Sequence, residues 1–426
     1  MNKISKYVIE TKTDDNKYGL IYNTKNNYFI RYLLSDFKNS NELLNYPKIY
    51  DFLEEKNFIE NDNEIEQIIN LQKESIESND TLMLILKITK DCNFRCIYCY
   101  ENFKQLEITE DVQNGIIQFI ENKIKNTSLK RVAISWLGGE PLLNLNCIEY
   151  MAPKVKKICE ENNVKYCSTI VTNGFLLTSD VFEKLLTLGV NLFQITIDGP
   201  KSIHDMQRKL ISGGKSYDII KQNLYDISKS KAKFQVVLRT NISRKLLNNM
   251  DEYINDMLPL FKDKRFFAMY HPVVDFSNLS HEVTDTEVLN EMIYAMNKGF
   301  KFPQVTEYLY GGSTLCYGAK ENHFVIDTLG QVSKCTETNE QYSIIGKMSI
   351  QGIIEPNLFL KLWDGARIST KCLTCNSISS CGGGACPLYY LKHGKPRCMK
   401  YKSIQNKEEL LKIAEKQQAY NLTLHL

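Results

Sequence analysis

The sequence predicts an α/β protein: a partial barrel of six β-strand–helix units, with a small α+β module before it and a cysteine-rich region after it. Two observations predict this architecture. Between residues 81 and 305, six short β-branched or aromatic runs alternate with helical patterns, which is typical of a parallel sheet covered by helices. In addition, ten of the 13 cysteines form two ordered groups, one near the start of that region and one after it. A chain of 426 residues has room for two or three domains.

Residues 1–80 predict the separate module. The runs GLIYNT and YFIRYL flank a turn at residues 25–27 and predict a hairpin of two strands. The helical patterns that follow, the first interrupted by Pro47, favour a winged-helix-like α+β fold. This module carries 10 Lys and Arg against 15 Asp and Glu, a net charge of −5. Because nucleic-acid binding requires positive charge, we expect no nucleic-acid partner, and the net charge of +3 for the whole chain agrees.

The barrel is predicted over residues 81–305. Its six predicted strands are, in order, LMLILKI, RVAISWL, CSTIVT, NLFQITI, KFQVVLRT and RFFAMYH. Six units are fewer than the eight that close a full barrel, so we expect an open one, with ligands at the carboxyl ends of the strands. The first cysteine group directly follows the first strand and is therefore expected at that end.

Residues 306–403 predict a region of short strands, glycines and cysteines, and residues 404–426 a closing helix, NKEELLKIAEKQQAY. The string FVIDTLGQVSKC predicts a hairpin that turns at Leu329 and Gly330. The cysteine-rich stretch after it is too irregular to fold by apolar burial alone, and we expect metal to stabilise it.

The composition also indicates where the protein works. No apolar run is long enough to span a membrane, and the first residues do not resemble a secretory signal, so we expect a cytoplasmic protein with no membrane partner. Thiols stay reduced in the cytoplasm, and clustered cysteines there indicate metal ligands rather than disulfides.

Cys92, Cys96 and Cys99 have the spacing C-x3-C-x2-C in the string KITKDCNFRCIYCYENF. A closed zinc site needs a fourth ligand, which is missing nearby, whereas three thiolates on one loop suit an iron–sulfur cube with one open iron. The string resembles the radical S-adenosylmethionine (SAM) superfamily, including Tyr98 beside the expected cofactor. The resemblance implies that these three catalytic cysteines hold a [4Fe-4S] cluster whose open iron binds S-adenosyl-L-methionine, and that one electron cleaves SAM to a 5′-deoxyadenosyl radical.

Gly138, Gly139, Glu140 and Pro141 follow the second predicted strand. They resemble the superfamily's stretch that hydrogen-bonds the methionyl amine of SAM, where glycines permit close backbone approach. Alone, the tetrad would also fit an ordinary turn. Asn173, in IVTNG after the third strand, is expected to line the same site, although an asparagine is equally common in a turn.

The string ITIDGPKSIHDMQR, at the end of the fourth strand, resembles the superfamily's segment in which a small hydroxyl residue and an arginine contact SAM. The corresponding residues here are Thr196 and Arg208. The alternative is that Arg208 only pairs with Asp205 or Asp198.

The later cysteines resemble the SPASM domain that follows the barrel in a subset of these enzymes. One spacing departs from the family pattern, because four residues, GGGA, separate Cys381 from Cys386 where the family has three. The resemblance implies two auxiliary [4Fe-4S] clusters. The outer cluster would be held by Cys372, Cys375, Cys381 and Cys398, and the inner cluster by Cys316, Cys335 and Cys386. A fourth inner ligand, which some relatives place shortly after the first cysteine, is missing here, so we expect an open iron.

The three remaining cysteines, Cys147, Cys159 and Cys167, match no pattern and are predicted to be buried core residues. The six histidines are scattered and predict no metal site.

The resemblance favours a maturase of a ribosomally made peptide, which forms a thioether between a cysteine sulfur and a carbon of another residue. The acidic module is then expected to bind the leader of the precursor peptide, the open inner iron to bind the substrate thiolate, and a flavodoxin or ferredoxin to supply electrons.

Three alternatives remain. A maturase that makes a carbon–carbon or ether crosslink needs the module but not the open iron. An anaerobic sulfatase-maturing enzyme would have an aspartate general base directly after the second SPASM cysteine, where this chain has Thr336 and then Glu337. A non-catalytic electron carrier or binding protein would not need the predicted SAM contacts.

Overall fold

The structure is a computed structural model that describes residues 3–274, 282–302, 316–336, 341–363, 368, 370–376, 378–381, 383, 386–395 and 404–426. It divides into two compact units. The first unit comprises residues 1–77, 304–320 and 364–426, and the second unit comprises residues 78–303 and 321–363. No helix in the described ranges is both long and apolar enough to cross a membrane.

The described strands are β1 (Val8–Lys12), β2 (Tyr18–Asn23), β3 (Tyr28–Leu33), β4 (Thr81–Lys87), β5 (Phe94–Cys96), β6 (Arg131–Leu137), β7 (Lys165–Thr172), β8 (Val190–Thr196), β9 (Arg208–Leu210), β10 (Gln235–Ile242), β11 (Phe266–Pro272), β12 (His323–Ile326), β13 (Gln331–Ser333), β14 (Ile344–Met348), β15 (Ile354–Pro356) and β16 (Leu422–Leu424). The described α-helices are α1 (Pro47–Glu55), α2 (Glu64–Glu77), α3 (Glu110–Asn126), α4 (Leu145–Glu161), α5 (Ser179–Thr187), α6 (Lys201–Gln207), α7 (Tyr217–Ser228), α8 (Arg244–Leu247), α9 (Met250–Met257), α10 (Asp285–Lys298), α11 (Thr370–Leu373), α12 (Ile378–Cys381), α13 (Pro387–His393) and α14 (Ile404–Lys416). Short 3-10 helices cover Ser40–Asn45, Pro141–Asn144, Leu260–Lys262, Tyr317–Ala319, Gln341–Ser343 and Leu360–Leu362.

The second unit contains the six-stranded barrel that the sequence predicts. Its strands are parallel, in the order β11-β10-β8-β7-β6-β4, and each predicted run coincides with one of them. Side chains such as Leu84, Trp136 and Phe193 are fully buried, because helices cover the parallel strands. The expectation of an open, partial barrel is therefore confirmed.

The sheet continues beyond β4 with strands that do not belong to the barrel repeat. Strand β12 pairs parallel to β4, and β13, β14 and β15 follow antiparallel. The predicted hairpin is β12–β13, and its turn contains Gly330 at φ +75°, a conformation that favours glycine. Asp327 holds the turn, because its Oδ1 accepts the backbone N–H groups of Leu329 (2.9 Å) and Gln331 (3.0 Å).

The first unit contains an α+β module with more strands than the sequence predicts. Its sheet has the order β1-β2-β3-β16, where the sequence predicted only the β2–β3 hairpin. Strand β16 is not predicted from the sequence, because its partner β3 lies near the opposite end of the chain. Pro47 does not interrupt a helix. It begins α1, where the N–H that proline lacks would have no partner in the helix anyway.

The same unit joins the N-terminal module to part of the cysteine-rich segment. Tyr7, Ile68 and Ile378 form one buried apolar cluster, against which Cys372 packs. The hydroxyl of Thr24 donates to the backbone carbonyl of Tyr7 (2.7 Å) and shares a hydrogen bond with a second hydroxyl, that of Ser379. The predicted bounds of 1–80, 81–305, 306–403 and 404–426 stay a prediction of functional domains; the compact units group the chain differently.

Candidate active site

A cavity of about 220 Å³ opens at the carboxyl ends of the barrel strands. Its wall includes the ends of β6, β7, β8, β10 and β11 and the loop after β4. Nine of the eleven residues predicted for the SAM site line it: Cys92, Cys96, Tyr98, Cys99, Gly138, Gly139, Asn173, Thr196 and Arg208. Glu140 and Pro141 lie outside the lining.

The three cysteines lie on the loop that leaves β4. Cys92 is buried, Cys96 is half-buried and Cys99 is exposed. Burial raises the pKa of Cys92 to about 12 and also raises the pKa values of Cys96 and Cys99. A thiolate in such surroundings needs nearby positive charge, which bound iron would supply.

Gly138 and Gly139 bring the end of β6 into contact with the cysteine loop. The Gly139 N–H donates to the carbonyl of Thr89 (2.9 Å), and a Cβ on Gly139 would lie 2.2 Å from the carbonyl oxygen of Asp91. A Cβ on Gly138 would lie 2.5 Å from the carbonyl oxygen of Thr89. Here the close backbone approach that glycine permits is toward the loop that carries Cys92.

Glu140 joins two segments beside the cavity through hydrogen bonds. Its side chain is fully buried and accepts three hydrogen bonds, from the Thr172 hydroxyl (2.6 Å) and from the backbone N–H groups of Asn173 (2.7 Å) and Leu142 (3.1 Å). Burial raises the pKa of Glu140, and these hydrogen bonds oppose the rise. The carboxylate therefore ties the end of β7 to the segment after β6. Its predicted contact with SAM stays a prediction.

Asn173 and Thr196 complete the predicted SAM contacts. The side-chain amide of Asn173 donates to Asn93 on the cysteine loop (2.7 Å), and its Oδ1 accepts the N–H of Phe175 (3.0 Å). Thr196 is the last residue of β8 and lies beside Arg239 of β10. Asn173 thus stabilises a turn by a hydrogen bond and also lines the cavity.

Arg208 belongs to a buried network around Asp198. The guanidinium donates to the phenol oxygen of Tyr98 (2.6 Å) and lies 3.6 Å from the Asp198 carboxylate. The Tyr98 hydroxyl in turn donates to Asp198, whose other oxygen accepts the backbone N–H of Asn241 (2.7 Å). Burial raises the pKa of Tyr98 well above its usual value, so the phenol stays protonated and can donate. The pairing of Arg208 with Asp198, weighed from the sequence as an alternative, is thus present within the cavity wall.

A two-stranded ribbon places Arg208 beside the cysteine loop. Strands β5 and β9 pair antiparallel, and Cys96 lies directly opposite Arg208. The ribbon is why a residue more than a hundred positions away reaches the cysteines.

Several cavity residues were not predicted from the sequence. Arg239 and Asn241, at the end of β10, and His271, at the end of β11, line the cavity. Polar residues that interrupt an apolar strand at its carboxyl end were the available signal, in the string VVLRTNI. Asp198 had appeared only as a possible partner of Arg208.

These residues fit an iron–sulfur cluster with SAM. Three thiols face one cavity, and the buried Nε of Arg208 has no hydrogen-bond partner among the described residues, so it can bind a ligand there. Across the described ranges, no three His, Cys, Asp or Glu side chains are close enough to hold a single metal ion. A cube differs from a single ion in this respect, because ligands on separate irons stand farther apart.

The C-terminal cysteines are only partly described. Cys316, Cys372, Cys375 and Cys386 belong to the first unit and Cys335 to the second. Cys386 caps α13, because its sulfur accepts the N–H of Tyr389 (3.4 Å). Cys398 and the side chain of Cys381 fall outside the described residues, so both auxiliary clusters stay a prediction for these positions. Of the three cysteines predicted to be core, Cys147 and Cys159 are buried and Cys167 is half-buried.

The sequence model of the radical SAM superfamily matches residues 86–244. Among curated relatives, the radical SAM cyclopropyl synthase TigE of Paramaledivibacter caminithermalis is 24% identical, over 91% of this chain and 94% of its own length. A cysteine-type anaerobic sulfatase-maturating enzyme of Clostridium perfringens is also 24% identical, over 71% of this chain and 88% of its own length.

Two solved structures share the fold. The structure described as native anSMEcpe with bound AdoMet and Kp18Cys peptide has a TM-score of 0.60 and 19% identity, and it covers 80% of this chain and 98% of that chain. Streptococcus suis SuiB bound to precursor peptide SuiA has a TM-score of 0.53 and 14% identity, and it covers 93% of this chain and 98% of that chain.

Proposed function

We propose that this chain, whose residues 86–244 match the radical SAM superfamily, is a maturase that forms a thioether crosslink in a ribosomally made precursor peptide. The observation that carries the proposal is the cavity at the strand ends, where three cysteines, two glycines and a buried arginine meet. The relatives support a peptide substrate. TigE, a cyclopropyl synthase, aligns with nearly the whole chain, and SuiB, whose structure contains a precursor peptide, has the same fold.

We assign the cavity residues to the cofactors as follows. Cys92, Cys96 and Cys99 hold the [4Fe-4S] cluster. When bound, the reduced cluster and SAM supply a 5′-deoxyadenosyl radical that removes a carbon-bound hydrogen from the substrate. Arg208, whose buried Nε has no hydrogen-bond partner among the described residues, and Thr196, which also lines the cavity, would provide polar contacts to SAM. The buried Asp198 carboxylate, 3.6 Å from the Arg208 guanidinium, holds Arg208 in place.

The proposed thioether rests on the inner auxiliary site. Some related enzymes place a fourth ligand shortly after the first SPASM cysteine, but residues 317–322 contain no cysteine. Asn322, at the end of that stretch, uses its side chain elsewhere: its Oδ1 accepts the Lys123 ammonium (3.1 Å) and its amide donates to Asn79 (2.6 Å). An inner cluster on Cys316, Cys335 and Cys386 would then keep an open iron, which suits a substrate thiolate.

A carbon–carbon bond is the second candidate. The specific observation that favours it is the alignment with TigE over 91% of this chain, since that relative is described as a cyclopropyl synthase. Sulfatase maturation has less support. The residue after Cys335 is Thr336, whose backbone carbonyl accepts the Lys87 ammonium (2.8 Å), and threonine is no general base. Glu337 lies outside the described residues.

The first experiment tests the cluster assignment without a peptide. Anaerobically reconstituted enzyme with dithionite should cleave SAM to methionine and 5′-deoxyadenosine. Cys96→Ala should abolish the cleavage and remove about four irons per chain, while Cys386→Ala should retain cleavage. SAM cleavage by Cys96→Ala at the wild-type rate would contradict the assignment.

The second experiment identifies the bond. Co-expression with short reading frames beside the gene should yield a peptide that has lost two hydrogen atoms, as measured by mass spectrometry. A thioether consumes a thiol, so the product should resist alkylation by iodoacetamide at one cysteine, and a precursor in which that cysteine is alanine should stay unmodified. Modification of the alanine precursor would instead favour a carbon–carbon bond. A sulfatase maturase would produce an aldehyde that reacts with hydrazine reagents.

A further inference from the structure

The ribbon of β5 and β9 has an inner face and an outer face. Residues alternate along both strands, so Phe94, Cys96 and Arg208 point inward and are buried or half-buried. On the outer face, Arg95 and Lys209 are exposed. Cys96, an expected ligand of the cluster, therefore has the cavity on one side and this solvent-exposed surface directly behind it.

The outer face combines apolar and basic side chains. Ile97 is 64% exposed and Ile211 is 57% exposed, and each adjoins the ribbon through a backbone hydrogen bond, from Ile97 N–H to Gln207 (2.9 Å) and from Ile211 N–H to Asn93 (3.0 Å). The two isoleucines lie at opposite ends of the outer face, on either side of the Arg95–Lys209 pair. Met206, which directly precedes Gln207, adds a third exposed apolar side chain at the Ile97 end, and the Lys245 ammonium lies 3.3 Å from its sulfur.

The positive charges of this face are not neutralised. Arg95 and Lys209 lie directly opposite each other across the ribbon, an arrangement that destabilises a strand pair. Arg95 donates to the carbonyls of Cys92 (2.8 Å) and Phe94 (2.7 Å), and neither Arg95, Lys209 nor Lys245 forms an ion pair with an acid in the part of the chain that the structure describes. The nearby Lys201, by contrast, is paired with Asp218.

We infer that this outer face, formed by Arg95, Ile97, Met206, Lys209, Ile211 and Lys245, is the docking surface for an acidic one-electron carrier protein. The inference rests on the proposed cluster at the cysteine loop. In each transfer the carrier loses one electron and the oxidised cluster gains it, with no bond made or broken. Charge complementarity selects the partner, because an unneutralised basic face attracts an acidic protein and orients it. The exposed isoleucines on either side of the basic pair provide apolar contact once the two surfaces meet.

The position of the face also favours electron entry. A carrier seated on Arg95 and Ile97 touches the two neighbours of Cys96 in sequence, so that only one strand separates it from the cluster. The route leaves the cavity free for SAM and substrate.

The test uses the full-length reconstituted enzyme and a purified acidic flavodoxin as the probe. The variant Lys209→Glu/Lys245→Glu reverses two charges on the face. The matched control, Lys231→Glu/Lys233→Glu, makes the same change at two exposed lysines just before β10, at the amino ends of the strands. Two quantities are measured for each protein: the affinity for flavodoxin by isothermal titration at low salt, and SAM cleavage driven either by reduced flavodoxin or by dithionite, which needs no docking surface.

We expect the Lys209/Lys245 variant to bind flavodoxin at least about tenfold more weakly than the control, and the difference to shrink as salt is added. Its cleavage of SAM with dithionite should equal that of the wild type, while cleavage with flavodoxin falls. Unchanged flavodoxin affinity would overturn the inference. An equal loss with both reductants would also overturn it, because the lysines would then support the cluster loop. If the cluster assignment itself is wrong, the wild-type enzyme will not cleave SAM with dithionite. That result distinguishes failure of the cluster assignment from failure of the docking inference.

Discussion

Replacing Gly139 by alanine should slow SAM cleavage. The cause would be displacement of the cysteine loop by the added methyl group, not a contact between that group and SAM. The added Cβ would lie 2.2 Å from the carbonyl oxygen of Asp91, 2.7 Å from its carbonyl carbon and 3.0 Å from the Cβ of Cys92. Favourable contacts between such atoms need about 3.5 Å, so the loop must retreat by roughly 1 Å. The atoms it meets are backbone atoms, which cannot move aside as the end of a flexible side chain would.

The retreat has two measurable consequences. Strain of this kind costs about 1–3 kcal/mol of folding free energy, and it breaks or lengthens the hydrogen bonds that Gly139 N–H makes to Thr89 and Glu140 N–H makes to Asp91. A displacement of about 1 Å in a reacting group can lower a rate roughly 100-fold. We therefore expect Gly139→Ala to cleave SAM about 100-fold more slowly with dithionite.

The assay compares initial rates of 5′-deoxyadenosine formation at equal iron content. Gly214→Ala is the matched control, because its Cβ would meet only the ends of two side chains, Leu210 at 3.3 Å and Ser212 at 3.7 Å. A Gly139→Ala enzyme with the wild-type rate and wild-type iron content would refute the reasoning, since it would show that the loop tolerates the shift.

Three further changes have expected outcomes. Arg208→Lys keeps the charge but loses the planar fork that reaches Tyr98, so SAM affinity measured by equilibrium dialysis should fall about tenfold while iron content stays unchanged. Burial holds the pKa of the His204 imidazole well below 6.5. Below about pH 6.5 this imidazole therefore binds a proton in the unfolded chain but not in the folded protein. The stability linked to His204 is therefore present above about pH 6.5 and is lost as the pH falls further, by about 1.4 kcal/mol per pH unit, and a His204→Gln enzyme should lack that part of the pH dependence in thermal unfolding. Thr24→Val removes the hydroxyl shared with Ser379 and should destabilise the first unit by about 1–3 kcal/mol, seen as faster limited proteolysis of that unit with unchanged dithionite-driven SAM cleavage.

The barrel could be predicted from the sequence because its signal is local. A parallel strand buried on both faces reads as a continuous apolar run, as in LMLILKI, and each run was followed by a helical pattern of its own. The cysteine spacing and the glycine tetrad were equally local, so a resemblance could be recognised from short strings. The structure places most of these motif residues together at the carboxyl ends of the barrel strands.

Contacts between distant segments could not be predicted in this way. Nothing in the string LTL near residue 423 indicates that it pairs with β3, because a strand of three residues has almost no pattern. The glycine tetrad was expected to approach SAM, and its backbone approaches the cysteine loop. Asp198 contacts both Tyr98 and Arg208 in the structure. The sequence indicates it only as one of two possible partners of Arg208, because the pairing depends on how the loops fold together.

The ribbon of β5 and β9 unites these observations, because its register decides which residues face the cavity. In a strand, shifting the pairing by one residue turns every side chain to the other face. Such a slip of β5 would direct Arg95 inward and turn Cys96 to solvent, which would remove this proposed cluster ligand from the cavity and from its position opposite Arg208. The burial of Phe94, whose ring lies 5.9 Å from that of Phe175, opposes the slip, because the slip would move this ring from a buried position to a solvent-exposed one. The packing of this aromatic ring therefore favours the register on which the proposed SAM binding, cluster ligation and electron entry all depend.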